Sequence, residues 1–139
     1  GQRIVPQLAT SFRWDDPQTL TLTLREGVRF HDGEAMTAES VAYSLNRHLT
    51  MQGSFRRSEI GAMSAVEVAD SATIRIRLRE SFAPFVSQLT DRAGMIVSPR
   101  AAEAAGAQFG NRSVCAGPMR FVERVAQGRI VLDRVPEYW

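Results

Sequence analysis

The sequence predicts an α+β fold with a mainly antiparallel sheet, several hairpins and about three helices. Threonine and leucine alternate strictly over residues 19–24, which is typical of a half-buried strand. An apolar stripe at helical spacing follows over residues 38–49. Other short alternating segments come in pairs joined by turn residues. Hairpins therefore outnumber βαβ crossovers, which favours antiparallel pairing in a single domain without repeats.

The first predicted hairpin joins residues 9–14 to residues 19–24 through Asp15-Asp16-Pro17. Its second strand presents one apolar face and one hydroxylated face. Successive side chains of a strand point to opposite faces. We therefore expect the leucines at 20, 22 and 24 to lie in the core and the threonines at 19, 21 and 23 to face outward.

The next segment, His-Asp-Gly-Glu at residues 31–34, could be a metal or acid–base site. Asp32-Gly33 is, however, a turn dipeptide, because glycine accepts a positive φ. Thr37 is a good N-cap for the helix that carries the apolar stripe. The segment is therefore predicted to be a connection, with His31 as a hydrogen-bonding residue.

The remaining elements follow from the same signals. Residues 50–61 lose all periodicity and are predicted to be an irregular loop. We expect a hairpin over 66–78, a short helix over 82–89 capped by Ser81, a buried strand at 94–98, a helix after Ser98-Pro99 that ends at Gly106, and a second hairpin over 119–139 that turns at Gln127-Gly128.

The charge pattern argues against nucleic-acid binding, although all 17 basic residues are arginine and the net charge is +2. A nucleic-acid module would be recognised by basic residues clustered on one face. Here they are spread along the chain, often beside Asp or Glu. The densest group, Arg75, Arg77 and Arg79, alternates with apolar residues and is predicted to be the solvated face of a strand. A basic nucleic-acid-binding module is kept as an alternative.

Catalytic and metal chemistry have little support. The two histidines, His31 and His48, lack the close spacing of helical zinc sites. No glycine-rich phosphate loop occurs, and we expect no metal and no cofactor. The single cysteine, Cys115, has no histidine near it in the sequence. A small hydrolase that uses Cys115 therefore stays an alternative, and it would need a base beside the thiol.

Three segments could contribute to binding. Phe55-Arg56-Arg57 lies in the irregular loop, and an aromatic ring with two guanidinium groups can stack on a ligand and pair with its carboxylate. Asp91-Arg92 precedes the predicted strand at 94–98, where it could hold a ligand or form an internal ion pair. Cys115-Ala116-Gly117-Pro118 is predicted to be a structural turn.

Several segments together resemble a known family, the peptide, nickel and glutathione solute-binding proteins of bacterial ABC importers (solute-binding family 5). They are PQLATSF, TLTLTLREGVRFHDGEAMTAESVAYSLNR, DRAGMIVSP and GPMRFVERVAQGRIVLDRVPEYW, in the order of the family. The sequence departs from the family pattern at Phe12, which is usually Trp, and at residues 115–119, CAGPM, where GTGPY or GTGPF is usual. These changes affect the expected specificity.

The resemblance implies a fragment of the first lobe of a two-lobed periplasmic receptor. About 1–112 resembles the inserted subdomain of that lobe, and about 113–139 a hairpin of its main subdomain. Such a receptor is not an enzyme. It binds a peptide-like or other small solute and delivers it to the membrane subunits of an ABC importer, from the periplasm or from a membrane-anchored extracellular position. The ligand contacts that the resemblance implies are Phe55, Arg56, Arg57 and Arg92.

Overall fold

A computed structural model describes residues 3–51, 54 and 56–139. The chain divides into two compact units. The first contains the residues up to Glu26 together with Thr37–Met95, and the second contains Gly27–Met36 together with Ile96–Trp139. The predicted α+β class is confirmed, because both units combine antiparallel strands with short helices.

The first unit is built on a four-stranded antiparallel sheet. Its strands are β1 (Ala9–Asp16), β2 (Thr19–Leu24), β3 (Met63–Asp70) and β4 (Thr73–Leu78), in the order β1-β2-β4-β3. Both predicted hairpins are confirmed. The first turn is shorter than expected, since β1 continues through Asp16 and the chain reverses at Pro17-Gln18.

The predicted burial of the leucine face of β2 is confirmed, and the predicted exposure of its threonine face is wrong at two of three positions. Leu20, Leu22 and Leu24 are buried, but Thr19 and Thr21 are buried as well, at 6 % and 8 % exposure. Since β2 lies between β1 and β4, the long side chains opposite it cover its hydroxyls. Thr21 pairs with Arg13 on one side and with Arg75 on the other. Only Thr23 of the three is exposed as predicted.

Irregular pairing is confined to the edges of the sheet. In β1 the register shifts between Ala9 and Ser11 and again between Trp14 and Asp16. In β3, at the opposite edge, it shifts at two further places. The central β2–β4 ladder runs without a shift over its five pairs. Each shift leaves one extra residue on the edge strand, which is the pattern of a β-bulge.

Helix α1 (Ala38–Thr50) covers the inner face of the sheet and packs against β3 and β4. The predicted cap is confirmed, because the Thr37 hydroxyl accepts from the backbone N–H of Ser40 and the Ser40 hydroxyl accepts from that of Thr37. This reciprocal pair satisfies two N–H groups that a helix start leaves without partners. Four residues of the predicted apolar stripe are buried, and Leu49 is half-buried.

Two predictions between residues 81 and 98 are wrong. Helix α2 spans only Phe85–Gln88, and Pro84 rather than Ser81 occupies its N-cap position. The segment at 94–98 is not a strand. Its first residue, Gly94, ends a 3₁₀ turn over Arg92–Gly94, and Met95–Ser98 runs extended without joining a strand pair of the described chain. Ile96, Val97 and Ser98 are buried as expected. The short apolar run therefore indicated burial of the segment and not its pairing in a sheet.

The second unit contains helix α3 (Pro99–Ala105) and a two-stranded ribbon, β5 (Met119–Val125) with β6 (Arg129–Arg134). Helix α3 follows Ser98-Pro99 and ends at Gly106 as predicted, with Gly106 at φ = +55°, and the Ser98 hydroxyl accepts from the backbone N–H of Ala101. A 3₁₀ segment over Gly106–Asn111, absent from the sequence prediction, continues from it. The ribbon turns where the sequence indicates, with Gln127 at φ = +57°.

The ribbon is amphipathic, but little of it is buried. Cross-strand pairing puts Phe121 opposite Leu132 on one face, which Met119 and Ile130 share. Met119, Leu132 and Ile130 are 45 %, 47 % and 64 % exposed. The other face carries two ion pairs, Arg120 with Asp133 at 3.6 Å and Arg129 with Glu123 at 3.2 Å.

Candidate functional site

The loop after α1 carries two of the four predicted contact residues within the described chain. Arg56 forms an ion pair with the carboxylate of Glu59, so its charge is already compensated. Arg57 is exposed, and its Nε donates to the carbonyl oxygen of Leu49 at 2.9 Å. Phe55 lies outside the described residues.

Arg92 is the first residue of the 3₁₀ turn and is exposed. The turn is closed by N–H donation from Gly94 to the Asp91 carbonyl at 2.8 Å and from Met95 to the Arg92 carbonyl at 3.2 Å. A side chain at Gly94 would overlap the backbone carbonyl of Leu89. The backbone under Arg92 is therefore closely held, although by a turn and not by the strand that we expected.

The alternative of an internal Asp91–Arg92 ion pair is not seen. Within the described part of the chain, the Arg92 guanidinium forms neither an ion pair nor a hydrogen bond. Its charge is therefore not compensated by a carboxylate of the described residues.

His48, in the last turn of α1, connects these two segments. Its Nε2 lies 2.8 Å from the carbonyl oxygen of Met95, just after the Arg92 turn. Since a carbonyl can only accept, Nε2 carries the proton and donates it. The His48 carbonyl in turn accepts from the hydroxyl of Ser54 at 2.8 Å, in the other loop. The same helix end therefore holds Arg57 and the Arg92 turn.

Sequence reasoning considered His48 only as a metal ligand and missed this role. The available signal was its position in the last helical turn, where a basic residue is favourable beside carbonyls without intrahelical partners. We name the set formed by the end of α1, the loop residues 54 and 56–57, and residues 91–95 the α1 C-terminal region.

The arginines of β4 are engaged on the outer face of the sheet. Arg77 makes a two-pronged contact with Glu67, through Nε at 2.6 Å and Nη2 at 3.3 Å. Arg75 lies 3.8 Å from Glu67 and 3.9 Å from Asp15. These pairs confirm the prediction of a solvated strand face. They also neutralise the positive charge of arginines that would otherwise be needed to contact the phosphates of a nucleic acid.

The acids of this face are held ionised. A hydrogen bond from Thr21, at 2.5 Å, and then one from Arg13 lower the pKa of Asp15 below its ordinary value of 3.8. The hydrogen bond from Arg77 likewise lowers the pKa of Glu67 below 4.5. Both carboxylates therefore act as structural anions over the physiological range, which does not suit general acid catalysis.

In the second unit, the residues at 31–34 form the predicted turn, with Gly33 at φ = +88°. His31 makes hydrogen bonds as predicted, but to a distant segment. Its Nε2 lies 2.8 Å from the Gly117 carbonyl and its backbone N–H donates to the Cys115 carbonyl at 2.9 Å. The indole Nε1 of Trp139 donates to the Ala116 carbonyl at 2.9 Å. Residues 115–117 are thus pinned through three successive carbonyls, consistent with a structural turn.

The Cys115 residue is half-buried, and the Nε2 of His31 is directed at the Gly117 carbonyl. Among the described residues, no group of three or more His, Cys, Asp or Glu side chains could hold a metal ion. The described helices include none that is long and apolar enough to cross a membrane.

Solved structures define the class of protein. The chain resembles the binding protein MoaA of A. tumefaciens R10, solved with mannopinic acid, at a TM-score of 0.89 and 26 % identity over 96 % of this chain and 28 % of that one. It resembles DppA of Helicobacter pylori, an ABC transporter-associated periplasmic binding protein solved with a peptide, at a TM-score of 0.82 and 25 % identity over 99 % of this chain and 31 % of that one. The fold is therefore that of the periplasmic binding proteins.

The family follows from sequence comparison. The model of the bacterial extracellular solute-binding proteins, family 5 middle, matches residues 3–139, and the chain belongs to this family. The glutathione-binding protein GsiB of Pectobacterium atrosepticum is 32 % identical over 125 residues, which is 89 % of this chain and 24 % of that protein. The chain thus spans about a quarter of the length of the curated relatives that it matches.

Proposed function

We propose that the chain is part of a non-enzymatic receptor that binds a small peptide-like or similar solute and delivers it to an ABC importer. The single observation that carries this proposal is the family match over residues 3–139. A relative is named as a glutathione-binding protein, and two structural neighbours were solved in complex with mannopinic acid and with a peptide. The receptor would work in the periplasm, or at the cell exterior on a membrane anchor, and its partners would be the importer's membrane subunits.

We also propose that residues of about 1–112 form the inserted subdomain of one lobe and about 113–139 a hairpin of its main subdomain. The amphipathic ribbon supports the second assignment. A two-stranded ribbon is marginally stable alone. Its exposed apolar face would be covered by further strands or helices of a larger subdomain.

The ligand contacts that we propose are Phe55, Arg56, Arg57 and Arg92. Two of them are best placed to meet a ligand anion. Arg57 and Arg92 are exposed and have no carboxylate partner in the described chain, whereas Arg56 already pairs with Glu59. The planar guanidinium fork can grip both oxygens of a carboxylate. Peptides and glutathione all carry such a group.

The test is Arg92→Ala in a receptor that contains this chain, with binding measured by calorimetry against glutathione, a tetrapeptide and mannopinic acid. We expect affinity for the solute that binds to fall at least tenfold, about 1.4 kcal/mol. Thermal stability without solute should barely change, because the Arg92 side chain has no partner within the described chain. Arg79→Ala is the matched control, since Arg79 is also exposed but lies at the end of β4.

Two outcomes would contradict the proposed contact. Equal losses for Arg92→Ala and Arg79→Ala would indicate a general effect of charge. A collapse of stability with unchanged affinity of the folded fraction would make Arg92 a structural residue.

A further inference from the structure

A cleft with a volume of about 330 Å³ lies within the second unit, separate from the residues assigned to the solute above. Its walls are the loop over residues 27–33, the Ala116-Gly117 backbone and the segment over 134–139. Pockets that hold small molecules begin at about 300 Å³. The cleft is thus at the lower limit for a small organic ligand.

The backbone around the cleft is fixed on both sides. His31 and Trp139 are tied to successive carbonyls of residues 115–117, as described above. The N–H of Val135 donates to the Pro118 carbonyl at 2.9 Å, and Nη1 of Arg29 donates to the Gly33 carbonyl at 3.0 Å. A ligand entering the cleft would therefore meet walls that are already ordered, which lowers the entropic cost of binding.

The cleft carries an excess of positive charge. Arg29, Arg120 and Arg134 line it, against one acid, Glu137. Arg120 is compensated by Asp133 at 3.6 Å. Neither Arg29 nor Arg134 forms an ion pair within the described chain, so two arginines line the cleft without a carboxylate partner. Guanidinium forks favour carboxylate and phosphate groups.

The aromatic residues at the end of the chain supply an apolar wall. The rings of Tyr138 and Trp139 lie 4.8 Å apart between centroids and are tilted by 43°. Both residues line the cleft. Because the Trp139 Nε1 proton is directed at the Ala116 carbonyl, the position of the indole ring is fixed.

We propose that this cleft is a second binding site, which takes a small organic anion with a planar apolar group. The anionic group pairs with Arg134 and Arg29, and the planar group packs on the Tyr138–Trp139 wall. The shared chemistry covers carboxylates and phosphate esters. The site does not depend on the function proposed above, because it uses neither Arg57 nor Arg92.

The experiment follows the two indole N–H signals in ¹H–¹⁵N spectra of the 139-residue chain, with Trp14→Phe used to assign them. Benzoate, phenyl phosphate and the neutral isostere benzamide are titrated in turn. We expect a saturable shift of the Trp139 signal with a Kd of about 1–10 mM for at least one anion, and at least tenfold weaker binding of benzamide. Trp14, which lies in β1, should not respond.

Charge variants distinguish binding in the cleft from a general effect of the protein's positive charge. Arg134→Gln should weaken binding of the anion at least fivefold, whereas Arg124→Gln removes the same charge from the same ribbon outside the cleft and should leave it unchanged. Arg29→Gln should weaken binding as well, which protects the test against misfolding of a single variant. Equal effects of Arg134→Gln and Arg124→Gln, an equal response to benzamide, or no saturation below about 50 mM would each overturn the proposal.

Discussion

Strand β2 and strand β6 have similar sequence patterns and very different surroundings. Each places apolar residues at every second position of one face, as TLTLTL in β2 and through Ile130 and Leu132 of RIVLDR in β6, although Val131 breaks the strict alternation in β6. Five of the six residues of β2 are buried, whereas none of β6 is. The central strand has neighbours on both sides and α1 packed on its sheet, while β6 has only β5.

The difference shows that a period-two pattern determines which side chains share a face. The neighbouring elements determine how much each face contributes to the free energy of unfolding. The same leucine contributes to stability in proportion to the apolar area that its neighbours remove from water. The two strands therefore offer matched substitutions with opposite expected results.

The largest expected effect is Leu22→Ala in β2. This leucine is 8 % exposed, and its truncation should lower the free energy of unfolding by about 2–5 kcal/mol, because a cavity remains in the core. The matched change in the ribbon, Leu132→Ala, should stay within about 0.5 kcal/mol, since Leu132 is 47 % exposed. Urea denaturation of the wild type, Leu22→Ala and Leu132→Ala measures both losses of unfolding free energy. Similar losses would mean that the ribbon is covered in solution.

A smaller effect is expected at two glycines, one in each unit. Gly94→Ala places a Cβ against the backbone of Leu89, which cannot rotate away, and should cost about 1–3 kcal/mol. Gly128→Ala places its Cβ 3.2 Å from a methyl group of Val125, a side chain that can shift. Its cost should therefore be well below that of Gly94→Ala. Thermal unfolding that shows the reverse order would contradict the packing described at the Arg92 turn.

The smallest expected effect concerns the outer face of β2 and depends on pH. Thr21→Val removes the hydrogen bond that is the main cause of the lowered pKa of Asp15. When the pKa of a carboxyl is lower in the folded state than in the unfolded state, the carboxylate stabilises the folded state at pH values above the pKa of the unfolded state. This stabilisation is lost as the pH falls through the pKa of the folded state. Wild type should thus exceed Thr21→Val in stability at pH 7, and the gap should narrow below about pH 4.

Thr23→Val serves as the control, since Thr23 is exposed on the same strand. Its difference from wild type should not change with pH. Urea midpoints at pH 7 and pH 3 give the comparison. A Thr21→Val gap that stays constant would show that the hydroxyl acts independently of Asp15 ionisation.

Local signals predicted most of the fold. The Thr37 cap, the helix start at Ser98-Pro99, its end at Gly106 and the turn at Gln127-Gly128 were correct because each depends on residues adjacent in sequence. The burial of Thr21 was missed because it depends on strands that arrive from elsewhere in the chain. The segment at 94–98 was misassigned because a short apolar run looks alike in a strand and in a buried extended connection.

The candidate site was predicted less completely. The sequence indicated Arg57 and Arg92 separately, as residues of loops that carry charge. It could not show that His48 holds both segments, since that contact joins positions 47 residues apart. Nor could it show that Glu59 compensates Arg56, because a loop without periodicity does not fix which side chains meet.

The bulges at the sheet margins have a consequence for how the chain behaves in a crowded solution. An unpaired strand edge can template the addition of another strand, and so seed fibrils. Extra residues in β1 and β3, the two edge strands of the first unit's sheet, interrupt the regular row of backbone donors and acceptors where it would otherwise be open to solvent. The regular ladder is confined to β2 and β4, which no second molecule can reach edge-on. The register of the first unit's sheet is therefore expected to disfavour edge-to-edge addition of a second chain, independent of surface charge.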